Sequence, residues 1–531
     1  MIRAIDGIIA GSPIKNIIVK ATPGSGKSSL PIIAGKLITA GHADAICWIC
    51  PRMSLQDQGE RNFIDPFFRH LFKHDLIIRS STNEVNPCRS TSGWISTYQA
   101  LGVDKYQTAL ADFMQKRYIL VLDEYHHSEA EDGEWTKALI PLYEKAAYRV
   151  LMTGTLMRGD KKRIAFTPYD DRGMPILQGD NETAVIEYSR LDALKDRAII
   201  PLSFIYLGGK SKWKTETGYE AESRLSTEDK KKSGHALYTA INTEYARELM
   251  DAAVAHWQKY KQETGHRSKL LVVSARIENA KQYQKYLKSL GLNSQIATSE
   301  DGPQAAATIK EFKSRRLDIL VSVSMAYEGL DCPPVSHIAC LTNIRSQSWI
   351  EQMAARAVRI DFDAGPYEKQ RAFVFVPDDK NMVQVVKNIE NDQIIAARGG
   401  NGNGNGNGGE TDLFGNPIGI TPLSSMVLGR KEVPICNTAP ELTSSEIEAD
   451  LLEQIDDHLK AFSFDNRYDI RKLNSQVFDF FGKPRRQMTI GELRNCLGHV
   501  KSVYPRNQIR GTGHKRVPTK AQPIQVTWRE R

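Results

Sequence analysis

Between residue 15 and about residue 200, short apolar runs alternate with stretches of helical periodicity, and this alternation narrows the fold more than any other feature of the chain. The runs are KNIIVKA, AICWICP, GWISTY, RYILVLDE and YRVLMTGT. Each is apolar almost throughout rather than at every second position, so each strand must be covered on both faces, as in a parallel sheet flanked by helices. A second series begins near residue 240 with KLLVVSA, DILVSVSM, HIACLTN and RAFVFVPD, separated by the amphipathic ENAKQYQKYLKSLG and by SWIEQMAARAVR. The pattern predicts two α/β lobes in tandem, and 531 residues are more than one hydrophobic core organises.

The boundaries follow from composition. Lobe 1 is expected over 1–205 and lobe 2 over 239–395, with 206–238 between them as a charged, exposed insertion, because GGKSKWKTETGYEAESRLSTEDKKKSGH is poor in large apolar residues. The stretch GGNGNGNGNGG can bury nothing, so 396–440 reads as a flexible linker. Beyond it, TSSEIEADLLEQIDDHLKAF carries a helix-start signature, and 441–531 reads as a small helical module with a basic tail. From Lys483 onward there are twelve Lys and Arg against Glu492 and Glu530, a surplus of ten that exceeds the formal net charge of +8 and leaves the remaining chain slightly acidic. With Tyr504 and Trp528 interleaved, the tail suits phosphate contacts and occasional base stacking.

Hydrophobic residues at 41%, charged residues at 25% and a mean hydropathy of −0.41 are values of ordinary soluble globular proteins and point to no global disorder. No apolar stretch approaches the roughly 18 residues of a membrane span, and MIRAIDGIIAGSPIK is too lightly charged for a secretory signal. The expected compartment is the cytoplasm, or a host's cytoplasm for a phage protein. Seven cysteines, odd in number and mostly in apolar runs, read as reduced and buried; Cys47 and Cys50 form a CxxC inside a strand, with no second ligand pair at zinc spacing.

Three segments carry chemistry. ATPGSGKSS follows the strand NIIVKA and precedes LPIIAGKLI, a helical pattern, which is the context a phosphate-binding loop requires. Gly24 and Gly26 let the backbone turn its N–H groups inward, Lys27 would neutralise the β- and γ-phosphates, and the Ser28 hydroxyl would ligate Mg²⁺. After the apolar YILVL comes DEYH, in which Asp123 is expected to hold the metal through water and Glu124 to orient or deprotonate an attacking water. In the second series, QMAARAVR places Arg356 and Arg359 three residues apart, on one face if the segment is helical.

Taken together, GSGKSS, DEYH and TGT (153–155) resemble motifs I, II and III of superfamily 2 helicases, closest to the prokaryotic and phage DNA helicases of the DExH type. AYEGLD (326–331) and QMAARAVR (352–359) resemble motifs V and VI, and ICPRMSLQDQ (49–58) and STYQAL (96–101) resemble Ia and Ib; the resemblance covers roughly 15–380. It implies two RecA-like parallel-sheet lobes with a small, mainly helical C-terminal module, ATP and Mg²⁺ as cofactors, and a nucleic-acid partner, DNA ahead of RNA. It assigns ATP contacts to Thr22, Pro23, Gly24, Ser25, Gly26, Lys27, Ser28, Ser29, Gly329, Asp331 and Gln352, with Arg356 and Arg359 reaching the γ-phosphate. His126, Thr153 and Thr155 would couple hydrolysis to lobe movement, and Arg52, Thr97, Gln99, Ser274 and Ser322 would touch the polynucleotide backbone.

The chain departs from the family pattern at Ala21, where Gly is usual, at Arg52 for Thr and at Ala355 for Gly. No glutamine precedes the phosphate loop to read adenine, so the choice of base stays open. The expected activity is ATP-driven movement on, or unwinding of, DNA in replication, recombination or repair. The alternatives are an ATP-gated clamp that separates no strands and the motor subunit of a restriction or defence nuclease with a partner chain.

Overall fold

The computed structural model describes residues 1–81, 86–102, 106–127, 134–154, 163–169, 176, 179–265, 267–314, 316–323, 330–395, 420–435 and 444–505. The chain divides into two compact units, Met1–Thr443 and Ser444–Arg531.

The first unit holds two sheets. The first contains β1 (Asn16–Ala21), β2 (Ala45–Cys50), β3 (Ile78–Ser80), β4 (Gly93–Thr97), β5 (Tyr118–Asp123), β6 (Tyr148–Thr153) and β7 (Thr183–Tyr188), in the order β3-β4-β2-β5-β6-β1-β7 and parallel throughout. Successive residues of one strand enter different cores: Ile46, Trp48, Ile119 and Val121 pack on one face, and Cys47, Ile49, Leu120 and Leu122 on the other. Burial on both faces is why these strands are continuously apolar.

The second sheet contains β8 (Leu202–Thr215), β9 (Glu220–Arg224), β10 (Lys269–Ser274), β11 (Ser294–Ala297), β12 (Ile319–Val323), β13 (Val335–Leu341), β14 (Ala372–Pro377) and β15 (Ile420–Ile435). Its order is β11-β12-β10-β13-β14-β8-β15, with β9 added beside β8. The pairs from β11 to β8 are parallel, whereas β15 and β9 run antiparallel to β8. Two parallel-sheet lobes of the RecA type, followed by helices, are thus the architecture.

Three expectations are corrected here. Residues 208–235 are not an exposed insertion: β8 continues to Thr215, β9 pairs with it, and the helix Lys230–Asn242 covers them. Gly209, Ser211 and Trp213 point inward while Lys210, Lys212 and Lys214 point outward, and Lys210 and Lys212 pair with Glu222 and Glu220 across the hairpin. Trp213 is 1% exposed and joins Leu225 and Leu237 in the core. The second lobe therefore starts at Leu202, well before residue 239. Nor is all of 396–440 linker, because Ile420–Ile435 is the sixteen-residue β15, paired along the whole of β8; 396–419 lie outside the described residues.

The second unit packs the helices Ser444–Asn466, Ile470–Phe481 and Ile490–Val503 around Ile455, Leu459, Leu473, Val477, Leu493 and Val500. Asp469 caps the second helix, and Thr489 with Glu492 forms a reciprocal capping box on the third. Tyr504 is buried in this core with its hydroxyl donating to Gln476, so it is not a free stacking ring; Trp528 and the tail from 506 lie outside the described residues. Among the described residues no helix is long and apolar enough to cross a membrane, and the six described cysteines are all free and buried.

Candidate active site

The site is assembled at the carboxyl ends of β5, β6 and β1, three neighbours in the first sheet. After β1 the chain turns through Thr22–Gly26, where Gly24 and Gly26 have φ of +89° and +86°, a conformation that strains any L side chain. Ser25 closes the turn on the Thr22 carbonyl through both its N–H (3.3 Å) and its hydroxyl (2.6 Å). Lys27–Ser29 then forms a 3-10 turn, and two short helical pieces, Leu30–Ala34 and Lys36–Thr39, follow in place of one helix. They meet at Gly35, where a Cβ would lie 2.6 Å from Leu76.

Lys27 reaches from this loop to the end of β5, its Nζ 2.7 Å from Glu124 Oε1. The second oxygen of Glu124 accepts from the Gly154 N–H at 3.1 Å and lies 3.3 Å from His126 Nδ1. His126 Nδ1 and the Thr153 hydroxyl are 2.8 Å apart. Gly154 admits no side chain: a Cβ there would lie 2.9 Å from Pro23 and 3.0 Å from Lys27 Nζ. Glu124 itself adopts φ +48°, a left-handed conformation uncommon outside glycine. The Tyr98 hydroxyl donates to the Asp123 carbonyl at 2.9 Å and ties the end of β4 to the same corner.

The two carboxyls are driven apart. Burial first, and the Glu124 charge second, push Asp123 up to about 7. Burial would raise Glu124 as well, but the Lys27 ammonium and the His126 contact outweigh it and hold that carboxyl well below the usual range. Among the described residues no group of three or more His, Cys, Asp or Glu could cage a metal ion. The donors at hand, the Ser28 hydroxyl and the Asp123 carboxylate, fit a cation that takes its remaining ligands from phosphate and water.

Asp331, Gln352, Arg356 and Arg359 belong to the second lobe, while Gly329 and Thr155 lie outside the described residues. Gln352 is on the helix Gln347–Ala354, but the two arginines are not on a helix face as expected, because that helix ends at Ala354. Arg356 and Ala357 bond back to Met353 and Ala354 in tight turns, and the Val358 carbonyl accepts from Ile200 N–H at 2.9 Å, which removes it from any helical ladder. This turn packs directly on the phosphate loop: a Cβ on Gly24 would be 3.6 Å from both the Ala355 carbonyl and Val358. Arg356 donates to the Leu330 carbonyl at 3.3 Å, and Arg359 pairs with Asp331.

The five positions assigned to the polynucleotide separate into two groups. Gln99 is exposed and Arg52 half-buried, at the ends of β4 and β2. Thr97 is buried, its hydroxyl capping Ala100 N–H at 3.3 Å. Ser274 and Ser322 are corrected: both are buried, with hydroxyls committed to the carbonyls of Arg276, Ser322 and Val323, so neither offers its hydroxyl to a ligand. Gly154, Tyr98 and Gln58, which donates to Asp331 across the lobes at 3.3 Å, were not singled out from the sequence. All three lie inside quoted segments, Gly154 in TGT, Tyr98 in STYQAL and Gln58 at the end of ICPRMSLQDQ, but nothing in those segments marks them apart from their neighbours.

Residues 2–158 match the family described as Type III restriction enzyme, res subunit, and residues 249–361 match the Helicase conserved C-terminal domain. The first match spans β1 to β6 and the second β10 to β13 and the arginine turn. An uncharacterised protein of Mycobacterium leprae is 24% identical over 400 residues, covering 73% of this chain and 63% of its own length. A Sulfolobus islandicus filamentous virus protein, described as a candidate helicase, is 23% identical over 361 residues, covering 65% of this chain and 58% of its own. The chain thus spans about six-tenths of the length of the curated relatives it matches. Among solved structures, the Mycobacterium smegmatis helicase Lhr, bound to single-stranded DNA and AMP-PNP, has a TM-score of 0.45 at 14% identity, over 74% of this chain and 47% of that one.

Proposed function

We propose that the chain is a helicase of superfamily 2, a nucleic-acid-dependent ATPase that moves on DNA or unwinds it, a reading that the two family matches support. The observation that carries this reading is the Lys27–Glu124–Gly154 linkage at the strand ends, which joins the phosphate loop to the acid pair. A polyphosphate in the glycine turn takes the Lys27 ammonium as its own counterion, and the Glu124 oxygen that held it becomes free for water. Glu124 then orients the attacking water and accepts its proton, while Gly154 N–H and His126 fix the carboxylate's second oxygen. When bound, Mg²⁺ supplies charge neutralisation at the phosphoryl oxygens, and Ser28 and Asp123, the latter through water, are the residues that would hold it.

Gly24, Gly26, Lys27 and Ser28 turn their N–H groups to the phosphates, with Thr22, Pro23, Ser25 and Ser29 completing the loop around them; Arg356 and Arg359, in the turn that packs on Gly24, stabilise charge that develops on the γ-phosphoryl group. Gly329, Asp331 and Gln352 complete the nucleotide's surroundings, and the His126–Thr153 contact, with Thr155, passes the state of Glu124 to β6. Arg52 and Gln99, accessible at the carboxyl ends of their strands, take the polynucleotide backbone.

The match of residues 2–158 to a restriction-enzyme subunit family favours a second reading, in which this motor serves a restriction or defence nuclease carried by a partner chain. Both readings are tested by phosphate release from ATP with single-stranded DNA, duplex DNA or RNA. The expected result is stimulation by DNA that Lys27→Ala and Glu124→Gln both abolish. Absence of hydrolysis with every polymer overturns the motor reading, and stimulation by RNA alone overturns the choice of DNA.

A further inference from the structure

Both arginines of the 356–359 turn are engaged with one short segment of their own lobe, Arg356 through the Leu330 carbonyl and Arg359 through the Asp331 carboxylate. The second oxygen of Asp331 has a partner from the other lobe: Gln58 Nε2 donates to Asp331 Oδ2 at 3.3 Å. Gln58 stands in the helix Met53–Ile64, which starts three residues after β2, so its position is set by the lobe that carries the phosphate loop. The Arg359 side chain is only 22% exposed, and its buried Nε has no hydrogen-bond partner among the described residues. A guanidinium so placed is held by one anion with donor capacity left over, and a better anion can take it.

We infer that Gln58 is a positioning residue: from the first lobe it holds Asp331 against Arg359 and so parks the arginine on its own lobe until nucleotide draws it across. This inference rests on the ATPase reading above. For Arg359 to serve a phosphoryl group it must exchange the Asp331 carboxylate for phosphate oxygens. With Gln58 in place, Asp331 is fixed between two donors that belong to different lobes, and its release requires the lobes to shift. Without Gln58, Asp331 keeps the arginine but loses its fixed orientation, and the exchange no longer waits on lobe movement.

The test is steady-state ATP hydrolysis by the full chain, with and without single-stranded DNA, for the wild type, Gln58→Ala and Gln58→Glu. Gln58→Ala is expected to raise the DNA-free kcat about fivefold, the factor that corresponds to one net hydrogen bond of ~1 kcal/mol, and to leave the DNA-saturated kcat within about twofold of wild type. Gln58→Glu sets a second carboxylate beside Asp331, deepens the anionic seat of Arg359, and is expected to lower the DNA-free kcat. Opposite signs from one position cannot come from misfolding. An active wild type with both variants unchanged, or with both shifted the same way, overturns the relay alone; a wild type inactive with every polymer overturns the ATPase reading and the relay with it.

Discussion

Glu124 combines a left-handed backbone, a 2.7 Å contact to Lys27 and an N–H bond from Gly154, and so many constraints on one carboxylate fix where its oxygens point. Glu124→Gln keeps the shape and removes the base: kcat should fall about 100-fold or more while fluorescent-nucleotide affinity stays within about threefold, as titration and phosphate release would show. Asp123 predicts a pH effect of definite sign. Its folded-state pKa of about 7 lies above the unfolded value, so the cost of the buried charge is full above about pH 7 and shrinks steadily as pH falls from there toward the ordinary carboxyl range. Asp123→Asn should therefore raise the melting temperature by about 2 °C or more at pH 8, with a smaller gain at pH 5.5; an equal gain at both would contradict it. Asp123 and Glu124 were legible in the sequence because one ends an apolar strand and the other directly follows it, and Lys27 because it closes the glycine-bearing loop after another. Ser274 ends a strand and Ser322 stands one residue before the end of another, but whether a hydroxyl faces solvent or a neighbouring carbonyl depends on the chain beside it, which no spacing reports.

Strands buried on both faces announced themselves as unbroken apolar runs, and nine of them could be located before the structure. The inner half of β8, LSFIYL, is as apolar as those nine and was passed over, whereas its outer half has an interrupted pattern. In the outer half of β8, inward Gly209, Ser211 and Trp213 alternate with outward lysines, and a lysine at every second place looks like a solvated linker. Its anchor is Gly209, where a Cβ would stand 2.5 Å from the Tyr245 ring, whose hydroxyl donates to the Leu207 carbonyl. Gly209→Ala should destabilise the first unit by about 1–3 kcal/mol in urea denaturation, with the loss read in the midpoint and little change in slope. The arginine turn escaped for another reason. Residues 352–359 have helical spacing, but the helix stops at Ala354, Arg356 and Ala357 bond back three residues instead of four, and the Val358 carbonyl goes to Ile200, far away in sequence.

At the scale of the molecule, the two units have separate cores, the second built on Leu459, Leu473 and Val477 among others. Calorimetry should resolve two transitions, and Leu459→Ala should lower one of them by an amount equivalent to about 2–5 kcal/mol without moving the other; a single transition that shifts as a whole would contradict separate units. The two lobes of the first unit meet where the phosphate loop packs on the arginine turn and Gln58 touches Asp331, so a nucleotide bound at this seam would act on both lobes at once. The central claim is that hydrolysis there drives movement along nucleic acid, and release of a triplex-forming strand from a DNA duplex measures that movement directly. Wild type with ATP should displace the third strand, and Glu124→Gln, or wild type with a non-hydrolysable analogue, should leave it in place. DNA-stimulated hydrolysis without displacement of any third strand, from either end of the duplex, would contradict the account and leave an ATP-consuming clamp.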